Sequence, residues 1–153
     1  MSERIHYQQA APAGYKALVG VHAYVSQCGL DATLVDLVYL RVSLINGCAY
    51  CIDLHTRDLR KHGVAVEKIV LVPGWHEAKS LFSAREQAAL AWAESVTRVA
   101  QTGVPDSDYQ AAASVFGEKE LADLTIAIGL MNSFNRLAIS FRNVPAAALA
   151  AQG

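Results

Sequence analysis

Apolar residues recur along this chain at spacings of three and four positions, and the alternation typical of strands is nearly absent. Capping and turn residues divide this pattern into successive amphipathic segments. The predicted helices cover residues 12–29, 31–45, 48–63, 67–72, 83–96, a short segment from 105, and 118–141. This pattern predicts one all-α domain over residues 1–153, with an Ala-rich tail at 146–153 that we expect to fray.

The second predicted helix is apolar on nearly every side, which is typical of a buried helix. Its polar positions, Asp36, Tyr39 and Ser43, form one stripe at helical spacing. A carboxylate on a buried helix is costly unless it has a partner, and a proton relay to a nearby site would supply one. The alternatives are that Asp36 lies at the rim of the core or pairs with Arg41 or with another arginine.

The third predicted helix carries two thiols and an imidazole on one side. Cys48, Cys51 and His55 fall within about 60° of one another around the helix axis. The opposite side carries charged residues, namely Asp53, Arg57, Arg60 and Lys61. A dithiol with its own base therefore lies on the inward stripe of an amphipathic helix, which predicts a redox site.

The spacing of these groups suggests how the site would react. A thiol with a pKa of about 8.5 is mostly protonated at neutral pH, and its thiolate is the nucleophile. The Asn46-Gly47 turn puts Cys48 in the first helical turn, where free N–H groups favour an anion. His55 can take the proton of Cys51 or stabilise its thiolate. We expect Cys51 to attack a peroxide oxygen and become a sulfenic acid, and Cys48 to resolve it as a disulfide.

Other uses of these residues are less well supported. Zinc on Cys48, Cys51 and His55 would lack a fourth ligand, because no second Cys/His pair is evident, so we expect no metal. Asp58 shares the stripe of His55 and could orient the imidazole, although such an acid is more often solvated or paired with arginine. The remaining candidates are interpreted as structural, as core or as interface residues: Cys28, His6, His22, His62, His76, Trp75, Trp92 and Phe134.

Composition narrows the class of protein. Hydrophobic residues make up 53% of the chain and charged residues 18%, which is apolar for a soluble domain. No apolar run approaches the roughly 20 residues of a membrane span, so we attribute the surplus to a subunit interface, with a well-filled monomer as the alternative. A net charge of −1 with scattered Lys and Arg predicts neither nucleic-acid nor membrane binding. The absence of a signal-like N-terminus and of a disulfide framework predicts a cytoplasmic protein.

The segment 41–51, RVSLINGCAYC, followed by His55, resembles the AhpD-like alkylhydroperoxidase family of the carboxymuconolactone decarboxylase superfamily. Further agreement lies in the segments 89–94 and 124–128, in Asn132 and in the segment 135–137. The resemblance covers about residues 12–142, which would form the core of the domain. It implies an AhpD-like helical domain with the CxxC at the N-terminus of a central helix, assembled as a homo-oligomeric trimer or hexamer.

The resemblance also implies roles for individual residues. Cys51 resembles the peroxide-attacking cysteine, Cys48 its resolving partner and His55 the relay histidine. The family's relay glutamate falls at Asp36, whose side chain reaches about 1.5 Å less far, so we expect a bridging water, a weaker relay or a different substrate. Tyr50 stands where some members carry a histidine.

These arguments predict a cytoplasmic, antioxidant thiol peroxidase for hydrogen or alkyl hydroperoxides. Its redox group is the Cys48–Cys51 pair without another cofactor, and its reductant is an external thiol such as a lipoyl domain or a thioredoxin-like protein. A dithiol–disulfide oxidoreductase acting on protein disulfides would use the same residues, and a redox-sensing or metal-binding module is the non-enzymatic alternative. A lyase acting on a muconolactone needs no dithiol and is the weakest alternative.

Overall fold

The computed structural model describes residues 3–151, and those residues form α-helices and two short 3-10 turns without any strand. The 3-10 turns lie at Val72–Gly74 and Lys79–Leu81. The helices are α1 (Tyr7–Ala10), α2 (Pro12–Val25), α3 (Ala32–Asn46), α4 (Ala49–Lys61), α5 (Val66–Val70), α6 (Ala84–Thr97), α7 (Val99–Thr102), α8 (Asp106–Ala113), α9 (Glu118–Phe141) and α10 (Ala146–Ala150). The prediction of an all-α fold is confirmed.

Local capping signals set several helix ends. Asp31 caps α3 by accepting the backbone N–H of Leu34 at 2.9 Å, and Ser83 forms a capping box with Glu86 at the start of α6. Gly47 follows α3 with φ of +70°, a left-handed conformation that glycine adopts without strain. These ends agree with the prediction because the signals are local in sequence.

Two kinds of element differ from the prediction. The four-residue helices α1 and α7 were missed, because four residues are too few to show a helical period. The first long helix ends at Val25 rather than at Gly29, and the residues between form turns.

Helix α3 forms the centre of the molecule and packs against α4, α6 and α9. Nine of its fifteen residues are buried, and Leu37, Val38 and Val42 are fully enclosed. The buried core lies in two clusters on either side of α3, one toward α6 and α9 and the other toward α4 and α5. This central place puts the polar stripe of α3 against α4, the helix that follows the dithiol turn.

Helix α9 is the longest helix, at 24 residues. By length and composition alone, the segment Glu118–Ala150 is apolar enough to cross a membrane. In the structure α9 packs against α2, α3, α6 and α8 and buries nine of its own residues. A core helix of a globular domain shows the same features.

The Ala-rich tail contains a short helix within the part that the structure describes. Helix α10 packs on α4, where the backbone N–H of Ala147 donates to Asp53 at 3.4 Å. The fraying of residues 146–153 stays a prediction. In the structure this tail is helical to Ala150, and residues 152 and 153 lie outside the described range.

Candidate active site

The dithiol follows a turn that α9 holds in place. The Nδ2 atom of Asn46 donates to Oδ1 of Asn132 at 3.0 Å and to Oδ1 of Asn135 at 2.9 Å. Asn135 is fully buried and donates in turn to the hydroxyl of Ser43 at 3.0 Å. These amides fix the start of α4 relative to α3 and α9. The asparagines of α9 supported only the family resemblance in sequence, because their contacts with Asn46 join positions about 90 residues apart.

Cys48 and Cys51 form a disulfide at the start of α4, with their Cα atoms 5.4 Å apart. Both residues are buried, at 1% and 3% exposure. Cys48 is the N-cap of α4 rather than a residue of its first turn, and its Sγ accepts the backbone N–H of Cys51 at 3.3 Å. That N–H and the helix dipole would favour negative charge on the sulfur of Cys48.

The Asp36–His55 contact anticipated in sequence is present between α3 and α4. Nδ1 of His55 lies 3.3 Å from Oδ1 of Asp36, and the imidazole is 5% exposed. The expected bridging water is unnecessary between these two side chains, because the aspartate reaches the imidazole directly. Arg41, the alternative partner of Asp36, pairs instead with Glu94 at 2.9 Å.

Asp36 contacts a second histidine through its other oxygen. Oδ2 of Asp36 lies 3.2 Å from Nε2 of His62, whose side chain is 40% exposed. This contact places His62, which was interpreted as structural, against a predicted residue of the site. His62 follows His55 by seven positions, two helical turns, and this spacing was the signal that could have found it.

Asp58 contributes charge near this group but is engaged elsewhere. Its carboxylate accepts from Nζ of Lys61 at 2.9 Å, so the alternative in which Asp58 orients His55 is not the observed arrangement. Asp36, His55 and Asp58 each offer one possible ligand atom, and these atoms lie within 4.8 Å of one another. These are the residues that could bind a cation. In the structure Asp36 contacts the two imidazoles and Asp58 accepts from Lys61, so both carboxylates of this group also have a hydrogen-bond partner.

Tyr39 forms a wall of the site beside the imidazole. Its ring centroid lies 5.0 Å from that of His55. Its hydroxyl is buried and has no hydrogen-bond partner among the described residues. Burial, and after it the charge of Asp36, raises the pKa of Tyr39 far above its usual value of 10, so the phenol stays neutral.

The two cysteines line different cavities. Cys51 and His55 line a cavity of about 310 Å³, whereas Cys48 lines a cavity of about 660 Å³ that α10 borders. Tyr50 and Ala138 contribute to both cavities and therefore lie between them. Phe134, predicted as a core or interface residue, also lines the smaller cavity, whose other walls include Tyr7, Tyr15, Val19, Leu54 and Met131.

A third cavity, of about 350 Å³, lies on the other side of Asp36. Asp36, Asp58, Lys61 and His62 contribute its charged and titratable wall. His22 lines both this cavity and that of Cys51.

The remaining candidates of the sequence analysis have structural surroundings. Trp75 and Trp92 are buried, as predicted, at 3% and 6% exposure. Cys28 is only half-buried rather than enclosed, and its Sγ lies 3.1 Å from the carbonyl oxygen of Val25. His76 contacts Glu94 at 3.1 Å and His6 contacts Glu3 at 3.2 Å, both away from the dithiol.

Comparison with protein families finds a match to the carboxymuconolactone decarboxylase family over residues 10–95. The uncharacterized protein YdfG of Bacillus subtilis (strain 168) is 36% identical over 143 residues, covering 94% of this chain and 97% of that protein. The alkyl hydroperoxide reductase AhpD of Hyphomonas neptunium is 49% identical over 41 residues, covering 27% of this chain and 23% of the reductase.

A solved structure shares the whole fold. The crystal structure of an Agrobacterium tumefaciens protein of unknown function, provisionally named as an antioxidant defence protein AhpD, superposes with a TM-score of 0.90. It is 36% identical, and the match covers 94% of this chain and 98% of that one. A peroxidase-related protein from Silicibacter sp. TM1040 shares the fold at 21% identity and a TM-score of 0.77, over 87% of this chain and 71% of that one.

Proposed function

The chain belongs to the carboxymuconolactone decarboxylase family, as an AhpD-like member, and from this premise we propose that it is a thiol-dependent peroxidase that reduces hydrogen or organic hydroperoxides. The observation that carries the proposal is the position of Cys51. It is within disulfide distance of Cys48 and shares a cavity with His55, which Asp36 contacts. A nucleophile, a resolving thiol and an oriented base are thereby assembled at one site.

Cavity shape supports the division of labour between the thiols. The Cys51 cavity is lined mostly by apolar and aromatic side chains, which suits the alkyl group of a hydroperoxide. His55 shares this cavity with Cys51 and is held by Asp36, so it can accept the thiol proton and return it to the leaving oxygen. Cys48 faces the other cavity, where an external reductant can approach without displacing the peroxide.

The cycle balances with these residues alone and a reductant. The thiolate of Cys51 attacks the peroxide, the O–O bond breaks, and the sulfenic acid forms while His55 protonates the departing alkoxide to an alcohol. Cys48 then attacks the sulfenic sulfur, an S–S bond forms, and water leaves. An external dithiol, such as a lipoyl domain or a thioredoxin-like protein, returns two electrons and two protons. No resident cofactor is needed, because the dithiol carries the electrons.

We also propose that the protein is a cytoplasmic homo-oligomer, a trimer or hexamer. Supporting this, several large apolar side chains near α5 are more than 40% exposed, which suits a subunit interface: Val66, Val70, Leu71 and Leu81. Light scattering coupled to gel filtration would measure the assembly, and a monomer at micromolar concentration would contradict it.

The decisive experiment measures intact mass and free thiols of the fully reduced protein before and after one equivalent of tert-butyl hydroperoxide. We expect a loss of two mass units and two thiols within seconds, mapped to a Cys48–Cys51 bridge. Cys51→Ser should abolish the reaction, and Cys48→Ser should stop at an unresolved oxidised Cys51. Cys28→Ser is the matched control, because Cys28 lies outside the site, and it should react like the wild type.

Other outcomes assign other functions. Intact thiols after minutes with peroxide would overturn the peroxidase proposal. If the same protein then exchanges rapidly with a model protein disulfide, it is a dithiol–disulfide oxidoreductase. Full peroxide turnover by Cys51→Ser would show that the roles of the cysteines are wrong.

A further inference from the structure

Asp36 joins two histidines that face different cavities. Oδ1 of Asp36 contacts the buried His55, which lines the Cys51 cavity, and Oδ2 contacts His62, which is 40% exposed and lines the cavity on the other side. The three side chains therefore form a continuous path from solvent to the wall of the dithiol cavity.

We propose that His62 is the entry point for protons to this site, and that Asp36 passes them from His62 to His55 while the Cys48–Cys51 disulfide is reduced. The place of this step in a catalytic cycle rests on the proposed function. The proton path itself concerns disulfide reduction and is tested without peroxide.

Proton balance explains why an entry path is needed. Reduction of the disulfide breaks one S–S bond and adds two electrons and two protons, while the external dithiol becomes a disulfide and releases two protons. Oxidation by peroxide then sends two protons out, one with the alcohol and one with water. Cys51 is 3% exposed and its cavity is largely apolar, so the leaving thiolate of Cys51 is poorly placed to take its proton from bulk water.

The aspartate is suited to pass a proton between two imidazoles. Each of its oxygens already faces one ring nitrogen, at 3.2 and 3.3 Å. Oδ2 of Asp36 accepts a proton from Nε2 of His62. A half-turn of the Asp36 carboxyl about χ2, a soft and nearly two-fold torsion, then brings this proton to Nδ1 of His55. His55, then protonated on both nitrogens, donates from its other nitrogen toward the departing thiolate of Cys51.

His62 both contacts Asp36 and is 40% exposed, so it can link this carboxylate, itself 16% exposed, to solvent through the cavity that both residues line. The ionisable residues that line this cavity are His22 from α2, Asp36 and Tyr39 from α3, and Asp58 and Lys61 from α4. Tyr39 stays neutral, and Asp58 is paired with Lys61. His22 lines both cavities but is not among the hydrogen-bond partners of Asp36 in the described residues, so it is the competing route that the test must exclude.

The test measures how fast dithiothreitol reduces the disulfide at pH 7 in weak buffer in the wild type and in the variants His62→Gln, His76→Gln and His22→Gln. His62→Gln keeps an amide N–H for Asp36 but cannot carry a proton, and we expect reduction about tenfold slower than in the wild type. Added imidazole should restore the rate to within about twofold, because a small base replaces the missing carrier. His76→Gln is the matched control, a half-exposed histidine on the carboxylate Glu94 away from the dithiol, and should reduce at the wild-type rate.

A second readout separates proton entry from a structural effect. Pre-reduced His62→Gln already holds its protons, so its single oxidation by tert-butyl hydroperoxide should match the wild type within about twofold. The proposal would be overturned if His62→Gln were reduced at the wild-type rate, or if added imidazole did not restore its reduction rate. It would also be overturned if His22→Gln, rather than His62→Gln, showed a slow reduction that imidazole restores. Failure of the wild type to react with peroxide would overturn the proposed function, while the reduction rates would still decide the proton path.

Discussion

Asp36 and Glu94 are two partly buried carboxylates that each contact at least one histidine, and they differ in their other partners. Asp36 contacts His55 and His62, whereas Glu94 accepts hydrogen bonds from Nε of Arg41 at 2.9 Å and from Nε1 of Trp75 at 2.7 Å and contacts His76. The two carboxylate side chains are similarly exposed, at 16% and 15%. Burial therefore does not distinguish them.

The difference lies in whether the partners can exchange a proton. Arginine keeps its proton throughout the physiological range and the indole N–H of Trp75 does not titrate, so two of the three partners of Glu94 have a fixed charge, and His76 is its one imidazole partner among the described residues. Imidazoles gain and lose protons near neutral pH, so the Asp36 cluster can change its charge beside the dithiol. We infer that Glu94 stabilises the fold and that Asp36 serves the chemistry.

The largest effect on stability should follow loss of the Glu94 carboxylate. Glu94→Ala leaves the guanidinium of Arg41, 11% exposed, without its anion, and should lower the free energy of unfolding by about 3 kcal/mol. Urea denaturation of the reduced protein measures the loss. A loss of less than about 1 kcal/mol would show that the contacts of Glu94 add little to stability, and would contradict the inference that Glu94 stabilises the fold.

Loss of charge at Asp36 should instead act on the rate. Asp36→Asn keeps the shape but removes the anion that holds His55, so oxidation of Cys51 by tert-butyl hydroperoxide should slow about 10²-fold, equal to about 2.7 kcal/mol in the barrier. Unfolding should change by less than about 1 kcal/mol. Stopped-flow measurements of the peroxide reaction provide the rate, with Glu94→Gln as the control. An equal slowing in Glu94→Gln would show that the two carboxylates do not differ in their effect on the reaction.

Acid should reveal the lowered pKa of Glu94. Burial alone would raise the pKa of Glu94, but the hydrogen bonds from Trp75 and His76 and the charge of Arg41 outweigh it and hold this pKa below 4.5. A lowered pKa in the folded state contributes stability that is fully present above the unfolded value and is lost as the pH falls through the folded value.

The wild type should therefore exceed Glu94→Gln in stability by a constant amount above about pH 5.5, with the difference shrinking below pH 4.5. Urea midpoints between pH 3 and 7, measured in a His76→Gln background so that Arg41 and Trp75 are the remaining partners of the carboxylate, give the curve. A difference that grows on acidification would contradict the lowered pKa.

The smallest expected effect concerns the hydroxyl of Tyr39, beside the Asp36 cluster. Because this hydroxyl is buried without a partner among the described residues, Tyr39→Phe should leave stability unchanged or raise it by up to about 1 kcal/mol. Tyr7→Phe is the opposite control, because the hydroxyl of Tyr7 accepts from Asn143 at 3.1 Å, and its removal should cost about 1 kcal/mol. A clear loss of stability in Tyr39→Phe would indicate that its hydroxyl has a partner in solution.

Sequence alone determined the features that depend on neighbouring residues. Local sequence patterns predict several of these features, because a helix repeats every 3.6 residues and its ends need nearby donors or acceptors. They are the caps at Asp31 and Ser83, the glycine turn before Cys48 and the long helix Glu118–Phe141. The spacing of Cys48, Cys51 and His55 along one helix was accessible for the same reason.

Only the tertiary structure decided which groups meet across helices. In sequence the candidate partners of Asp36 were the relay to the dithiol and an arginine. The packing of α3 on α4 places Asp36 against His55 and against His62, which was not predicted, while Arg41 on the same helix pairs with Glu94 of α6. The separate cavities of Cys48 and Cys51 also arise from side chains of α1, α2, α9 and α10 that are distant in sequence. Contacts of this kind depend on how whole helices pack, and a single sequence does not encode that packing in any local period.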